Sequence, residues 1–264
     1  MIKRVLAVAL TAVFATGSVQ AGSFLNGGFE GNNFGGWTQG SGYNTGPTAT
    51  AGGALALNPA DFEVGGSNYN ASYQVSAITS AGKDSIDKTL EMVRYGDHAV
   101  RVNNSYQNYS VNTIRQSVSN YDGTSINFSW AALLQSSHNL TDSDIFGLKI
   151  TDDTLGTTLY STTYSSASAP GSFTALSNGW YSSGWKDITL AVTQGHNFTV
   201  SLLAADCPYG AHAGYVYLDG FGTTAGGPGD NGNGNVPEPA SIALLGAGLV
   251  GLVATRRRKT AQKA

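Results

Sequence analysis

Eight short segments between Ala99 and Asp219 alternate apolar and polar residues with a period of two, and nothing else in the chain constrains the fold as tightly. They run over 99–103, 113–118, 125–133, 145–150, 158–161, 186–192, 197–203 and 214–219; the third alternates in its first half. Successive side chains of an extended strand point to opposite faces, so such a segment buries one face and wets the other. Residues that favour turns fill the gaps: Asp122-Gly123, Asp152-Asp153 through Gly156, and Gln194-Gly195. Many short strands joined by turns predict an all-β chain, an antiparallel β-sandwich or jelly roll, with one wet and one buried face on each sheet.

The first hundred residues are less regular. Ser23–Glu30 reads as a first strand, followed by a glycine-rich turn and a core tryptophan, Trp37. A strand near Ala54–Asn58 and a long loop around Gly65–Tyr73 are expected. Ser85–Met92 suits one or two helical turns, with Ser85 as N-cap and Ile86 and Leu90 on one face.

Both ends carry sorting signals. Lys3-Arg4, an apolar run from Val5 to Ala15 and the small-x-small step Val19-Gln20-Ala21 form a signal peptide cleaved between Ala21 and Gly22. At the other end Val236-Pro237-Glu238-Pro239 precedes an uncharged run, Ala240 to Thr255, and then Arg256-Arg257-Arg258-Lys259. A helix over that run would be about 24 Å long, short for a hydrocarbon core of about 30 Å, a gap that snorkelling arginines can close. The basic cluster would remain cytoplasmic. The chain thus divides into a signal peptide (1–21), a β-sandwich ectodomain (22–222), a Gly/Asn-rich linker (223–235) and a sorting tail (236–264), the tail holding one short hydrophobic helix (240–255) and a basic stop (256–259).

Motif, apolar run and basic end, in that order, resemble the PEP-CTERM sorting signal of Gram-negative bacteria, a tail also catalogued as an ice-binding-protein C-terminal motif. The resemblance implies recognition by an exosortase, a membrane transpeptidase-like enzyme. It also implies transient insertion in the inner membrane, then release to the cell surface or extracellular matrix. Thr and Asn form no regular ladder of the kind ice binding would use.

Charge narrows the partners. Between Gly22 and Asn235 seven basic and sixteen acidic side chains leave a net charge of −9, against −3 for the whole chain. Such a domain repels nucleic acid and anionic headgroups. One cysteine, Cys207, excludes an intramolecular disulfide. No Gly-x-Ser-x-Gly, His-Glu-x-x-His or phosphate-binding loop is present, so no catalytic residue is assigned and a non-enzyme is expected.

The ectodomain is similar to galactose-binding-like jelly rolls, which include many carbohydrate-binding modules. The residues that carry the likeness are Asn26-Gly27-Gly28-Phe29-Glu30 with Gly36-Trp37, Val100-Arg101-Val102, Arg115-Gln116-Ser117-Val118, Trp185-Lys186-Asp187, and Tyr215 through Phe221. The resemblance implies that first and last strands lie close together. It also implies a structural Ca²⁺ held by Glu30 and Asp219, with help from the Asn26 carbonyl; the other reading makes these ordinary strand-end polar residues. Cys207 and His212 are metal ligands by type, but His98, His138 and His196 are too scattered for a third to be named, and a buried turn is the alternative. Tyr43, Tyr69, Tyr73, Tyr95, Tyr106, Tyr109, Tyr121, Tyr164, Tyr181 and Tyr209 are placed in or near loops, where rings can stack on sugars. The resulting expectation is a surface or biofilm-matrix protein that binds glycan or associates with exopolysaccharide. The alternatives are a structural or adhesive surface protein and, behind it, a polysaccharide-active enzyme.

Overall fold

In the computed structural model, residues 22–222 are described. The expected signal peptide, linker and short hydrophobic helix, and the sorting motif, lie outside the described residues. Among those described, no helix is long and apolar enough to cross a membrane.

Among the described residues, twelve strands form two antiparallel sheets. The first sheet holds β1 (Thr38–Tyr43), β4 (Ser110–Val118), β11 (Phe198–Ala205), β6 (Ile145–Asp152) and β7 (Thr157–Ser165), in that order. The second runs β2 (Ala77–Ser80), β3 (His98–Val102), β12 (Gly214–Gly222), β5 (Ser125–Gln135), β9 (Trp180–Ser182), β8 (Thr174–Ala175). β10 (Lys186–Ala191) pairs with the free length of β5 beside β9. All eight alternating segments are strands. The inner faces meet in one core containing Trp37, Ile114, Phe128, Trp130, Phe146, Leu148, Leu202 and Leu218. This is the antiparallel sandwich that the alternation predicts.

The outer faces depart from expectation. Each carries a second apolar cluster beneath an irregular cover. On the five-stranded sheet Leu55, Leu57 and Phe62 lie over Val111, Ile145, Leu203 and Ala205. On the other sheet Ile86, Leu90 and Met92, with Trp180 and Trp185, lie over Ala131, Leu133, Tyr215 and Tyr217. β12 is consequently buried along its whole length. One wet face per sheet holds only for the uncovered parts.

The first cover requires glycine beneath it. A Cβ on Gly42 would stand 2.7 Å from Phe62 Cδ1, one on Gly40 2.6 Å from the Phe62 carbonyl oxygen, and one on Gly147 2.9 Å from Leu55 Cδ2. Real carbon contacts do not come so close, so the cover fits only where side chains are missing.

Three local expectations are corrected. Residues 23–37 are turns rather than a first strand, and only Gly22 pairs, in a single bridge to Tyr121. Ala54–Asn58 is not a strand; the region holds one bridge, Ala49 to Leu55, and a 3-10 turn at Pro59–Phe62. Ser85–Met92 is not helical. The Asp84 carboxylate accepts the N–H groups of Ile86 and Asp87 at 2.7 and 2.8 Å, and its other oxygen accepts the hydroxyls of Tyr215 and Tyr217, both at 2.8 Å. The two amide bonds alone would cap a helix, but the Asp87 carboxylate takes the Thr89 N–H at 3.0 Å and the Leu90 carbonyl accepts the Asp84 N–H at 2.9 Å, so the segment closes as a loop.

Candidate functional site

Glu30 and Asp219 grip one stretch of backbone from two sides. Asp219 is fully buried at the end of β12. Its Oδ2 accepts the N–H groups of Arg94 and Tyr95, both at 2.8 Å, and its Oδ1 accepts that of Gly220 at 2.6 Å. Glu30 accepts the N–H groups of Asp97 at 3.1 Å and of His98 at 3.2 Å. Burial, and to a smaller degree the nearby Glu30 charge, push the Asp219 carboxyl up to about 7 against the pull of these N–H bonds. The Asn26 carbonyl is engaged as well, by Phe29 N at 3.1 Å and Trp37 Nε1 at 3.2 Å. The three residues named for Ca²⁺ thus face N–H donors. A cation needs an oxygen cage, and here the carboxylate oxygens are taken up by five backbone N–H groups, so the residues do not fit a Ca²⁺ site. Gly22, at the expected cleavage point, donates its N–H to the Asn120 carbonyl at 2.9 Å.

A cleft of ≈ 800 Å³ opens on the outer face of the five-stranded sheet, beside the first cover. Strand register builds its floor. Arg115 on β4 faces Ser201 on β11, Ser201 faces Lys149 on β6, and Lys149 faces Ser161 on β7. One row of polar side chains therefore crosses four strands, with Arg115 and Lys149 about 10 Å apart at two strand spacings. Leu55, Leu57 and Pro59 of the cover form the apolar wall.

Two polar groups of that floor have no partner among the described residues. Ser201 Oγ is buried without a hydrogen-bond partner, and such orphans are uncommon. Lys149 is exposed and, among the described residues, in no ion pair. Arg115 is held by Glu63, Nη1 to Oε2 3.7 Å. Glu63 is the only carboxylate lining the cleft, whereas hydrolysis of a glycosidic bond takes two flanking carboxyl groups.

The tyrosines lie elsewhere. No aromatic ring lines the cleft. Tyr121 lies in the β4–β5 connection but is buried in the core, and Tyr164, near the end of β7, packs against it. Tyr43, Tyr73 and Tyr109 make a separate cluster, with centroids 5.3 Å (Tyr43–Tyr73) and 5.2 Å (Tyr43–Tyr109) apart. Arg115, Lys149 and Ser201 were visible in the sequence only as outward residues of three strands. Their alignment needs the strand order β4-β11-β6, which inserts the eleventh strand between the fourth and sixth.

The family model described as the PEP-CTERM protein-sorting motif matches residues 235–259. Those residues are a PEP-CTERM motif. It takes in Val236–Pro239, the uncharged run and the basic cluster, and it marks the chain for export to a Gram-negative cell surface. The PEP-CTERM motif covers the tail alone. No curated protein matches the chain. Among solved structures, this chain is similar to TmCBM61 in complex with β-1,4-galactotriose, at 15% identity and TM-score 0.39, over 75% of this chain and 95% of that one. It is also similar to Caldicellulosiruptor saccharolyticus CBM27-1 in complex with mannohexaose, at 11% identity and TM-score 0.31, over 60% and 85%. A third is the K2 cleaved adhesin domain of Lys-gingipain, at 16% identity and TM-score 0.33, over 56% and 81%. At these values none of their ligands transfers to this chain.

Proposed function

We propose that this chain is an exported surface protein whose outer-face cleft binds polysaccharide, with preference for sugars that carry carboxylates, and whose tail is processed by an exosortase. The observation that carries the glycan reading is the cross-strand row itself. An unpaired lysine, an arginine and an unsatisfied serine hydroxyl share one cleft floor, in a domain whose other charges are mostly negative. The aliphatic wall would meet the C–H face of a sugar ring while the floor meets its hydroxyl and carboxylate edges. With no aromatic platform, affinity would rest on charge-assisted hydrogen bonds, worth about 1.5–3 kcal/mol each.

Binding of uronate-bearing and neutral polysaccharides to the full chain, followed by tryptophan fluorescence and thermal shift, tests this. Lys149→Glu is expected to weaken binding of the acidic polymer by about 10–100-fold, and salt should weaken binding of the unaltered chain. Binding that ignores Lys149→Glu would move the site elsewhere. No binding to any polymer would leave the structural or adhesive reading standing. For the tail, protein extracted from the cell surface should lack residues 256–264 by mass; an intact basic end would remove exosortase processing from the account.

A further inference from the structure

The β5–β6 loop and the β11–β12 loop meet at one end of the sandwich, and three soft or borderline metal ligands converge there. Ligand atoms of His138, Cys207 and His212 all lie within 4.8 Å of one another. His138 Nδ1 is 3.2 Å from Cys207 Sγ. The two imidazole rings stand 4.9 Å apart at 82°. A tetrahedral zinc with bonds of about 2.3 Å to sulfur and 2.0–2.1 Å to nitrogen sets its sulfur and nitrogen ligands roughly 3.5 Å apart. The observed separation is near that value before any adjustment.

We propose that His138, Cys207 and His212 form a zinc site, with water in the fourth position. The surroundings suit the assignment. Cys207 is fully buried and held in place, its N–H donating to the His212 carbonyl at 2.9 Å and closing the turn between two of the ligands. Tyr209 N–H points at the sulfur from 3.2 Å, as a bond that stabilises a thiolate. Gly210 packs against both rings; a Cβ there would lie 3.3 Å from His212 Cε1 and 3.6 Å from His138 Cε1. Ser137 Oγ lies 3.2 Å from His212 Nδ1 and fixes that ring's orientation, an outer-shell contact of the usual kind. His138 is exposed, which gives the metal an entry path and leaves room for water.

Binding exchanges one proton for one metal ion. The thiol proton, now shared with the Tyr209 carbonyl at 2.8 Å, leaves to solvent, and a Zn–S bond forms without redox change. For an exported protein with a single cysteine, the bond also occupies a thiol that has no disulfide partner.

The test uses the full chain, stripped of metal under reducing conditions. Titration with Zn²⁺ is expected to show one ion per chain, a Kd of about 1 µM or tighter, and release of one proton. Co²⁺ in its place should give the visible bands of a tetrahedral centre and a thiolate charge-transfer band. Loss of an outer-shell partner alone weakens metal binding by about 10–100-fold, so removing a ligand should cost at least as much. Cys207→Ser should abolish the charge-transfer band. His138→Ala, at an exposed position that leaves the packing intact, should weaken zinc to the same degree. Zinc bound equally by both variants, cobalt bound without a thiolate band, or no binding by the unaltered chain would each overturn the site.

Discussion

Gly27→Ala is expected to lower the melting temperature of the ectodomain by about 10 °C or more. Gly27 sits where the N-terminal turn crosses the last strand. Its carbonyl accepts the Phe221 N–H at 3.0 Å, and a Cβ would fall onto the Phe221 carbonyl oxygen, far inside van der Waals contact. That atom is backbone in a buried strand, so it cannot swing aside as a flexible side chain would. Relief requires the turn to lift off β12, which separates Phe24 from Phe221 (centroids 4.8 Å) and Trp37 from Phe221 (5.8 Å). Overpacking in a tight site costs about 1–3 kcal/mol and more where backbone must move. For a domain of this size each kcal/mol is worth about 2–4 °C. Gly46→Ala provides the control, because a Cβ there meets nothing within 4 Å. Equal melts for the two variants, followed by near-ultraviolet circular dichroism, would show that the turn is not clamped as described.

Acidification from pH 7.5 to pH 5 should stabilise the domain. Asp219 is pushed up to about 7 by burial, and Asp144, buried between the ends of β5 and β6, is held well above the carboxylate range by the same cause. A group whose folded pKa is raised keeps its proton after the unfolded chain has lost it. Its contribution is fully present below the unfolded value near 3.8 and is lost as pH rises through about 7. For each such group the slope inside that window is at most about 1.4 kcal/mol per pH unit. Asp206 acts in the same direction, also pushed up to about 7 by burial. His212, held below the ordinary imidazole value by burial and the His138 ring, opposes part of this gain as pH falls through that value, and Asp87, Asp152 and Asp187 oppose it at lower pH. Hydrogen bonds from Ser182 and Thr89 outweigh burial at Asp87, and Arg94 and Ser129 hold Asp187 down, so these groups weaken the fold below their ordinary values. The melting temperature should therefore rise by several degrees down to about pH 5 and turn over near pH 4. Asp219→Asn should remove its share of the slope; an unchanged pH profile in that variant would assign the effect to other groups.

How far the sequence could be read depended on which force shaped each segment. The eight alternating strands declare themselves because each packs one face on the core. β1 does not, because Thr38-Gln39-Gly40-Ser41-Gly42-Tyr43 offers glycines where the cover loop must approach. Both covers were missed for a related reason. Leu55, Leu57 and Phe62, and likewise Ile86, Leu90 and Met92, are placed by turn chemistry and follow no period. The Asp87 carboxylate and the Asp84–Leu90 backbone bond close a helix-like pattern into a loop. The cleft floor and the His138–Cys207–His212 cluster share one difficulty. Each joins residues brought together by strand order, and spacing along the chain carries no record of that order. The Glu30–Asp219 proximity was legible from the ends of the domain, but not the five-amide grip that occupies both carboxylates.

The chain leaves the sandwich at Gly222, the last residue of β12, on its way to the PEP-CTERM motif. β12 is a central strand, hydrogen-bonded to β5 along most of its length and to β3 from Val216 to Leu218. Tension on the tail would run along this strand, while its rungs lie across it. The rungs on both sides would then share the load at once instead of opening one after another. A domain pulled through β12 would be loaded in shear, the geometry in which a β-sheet best resists being drawn apart.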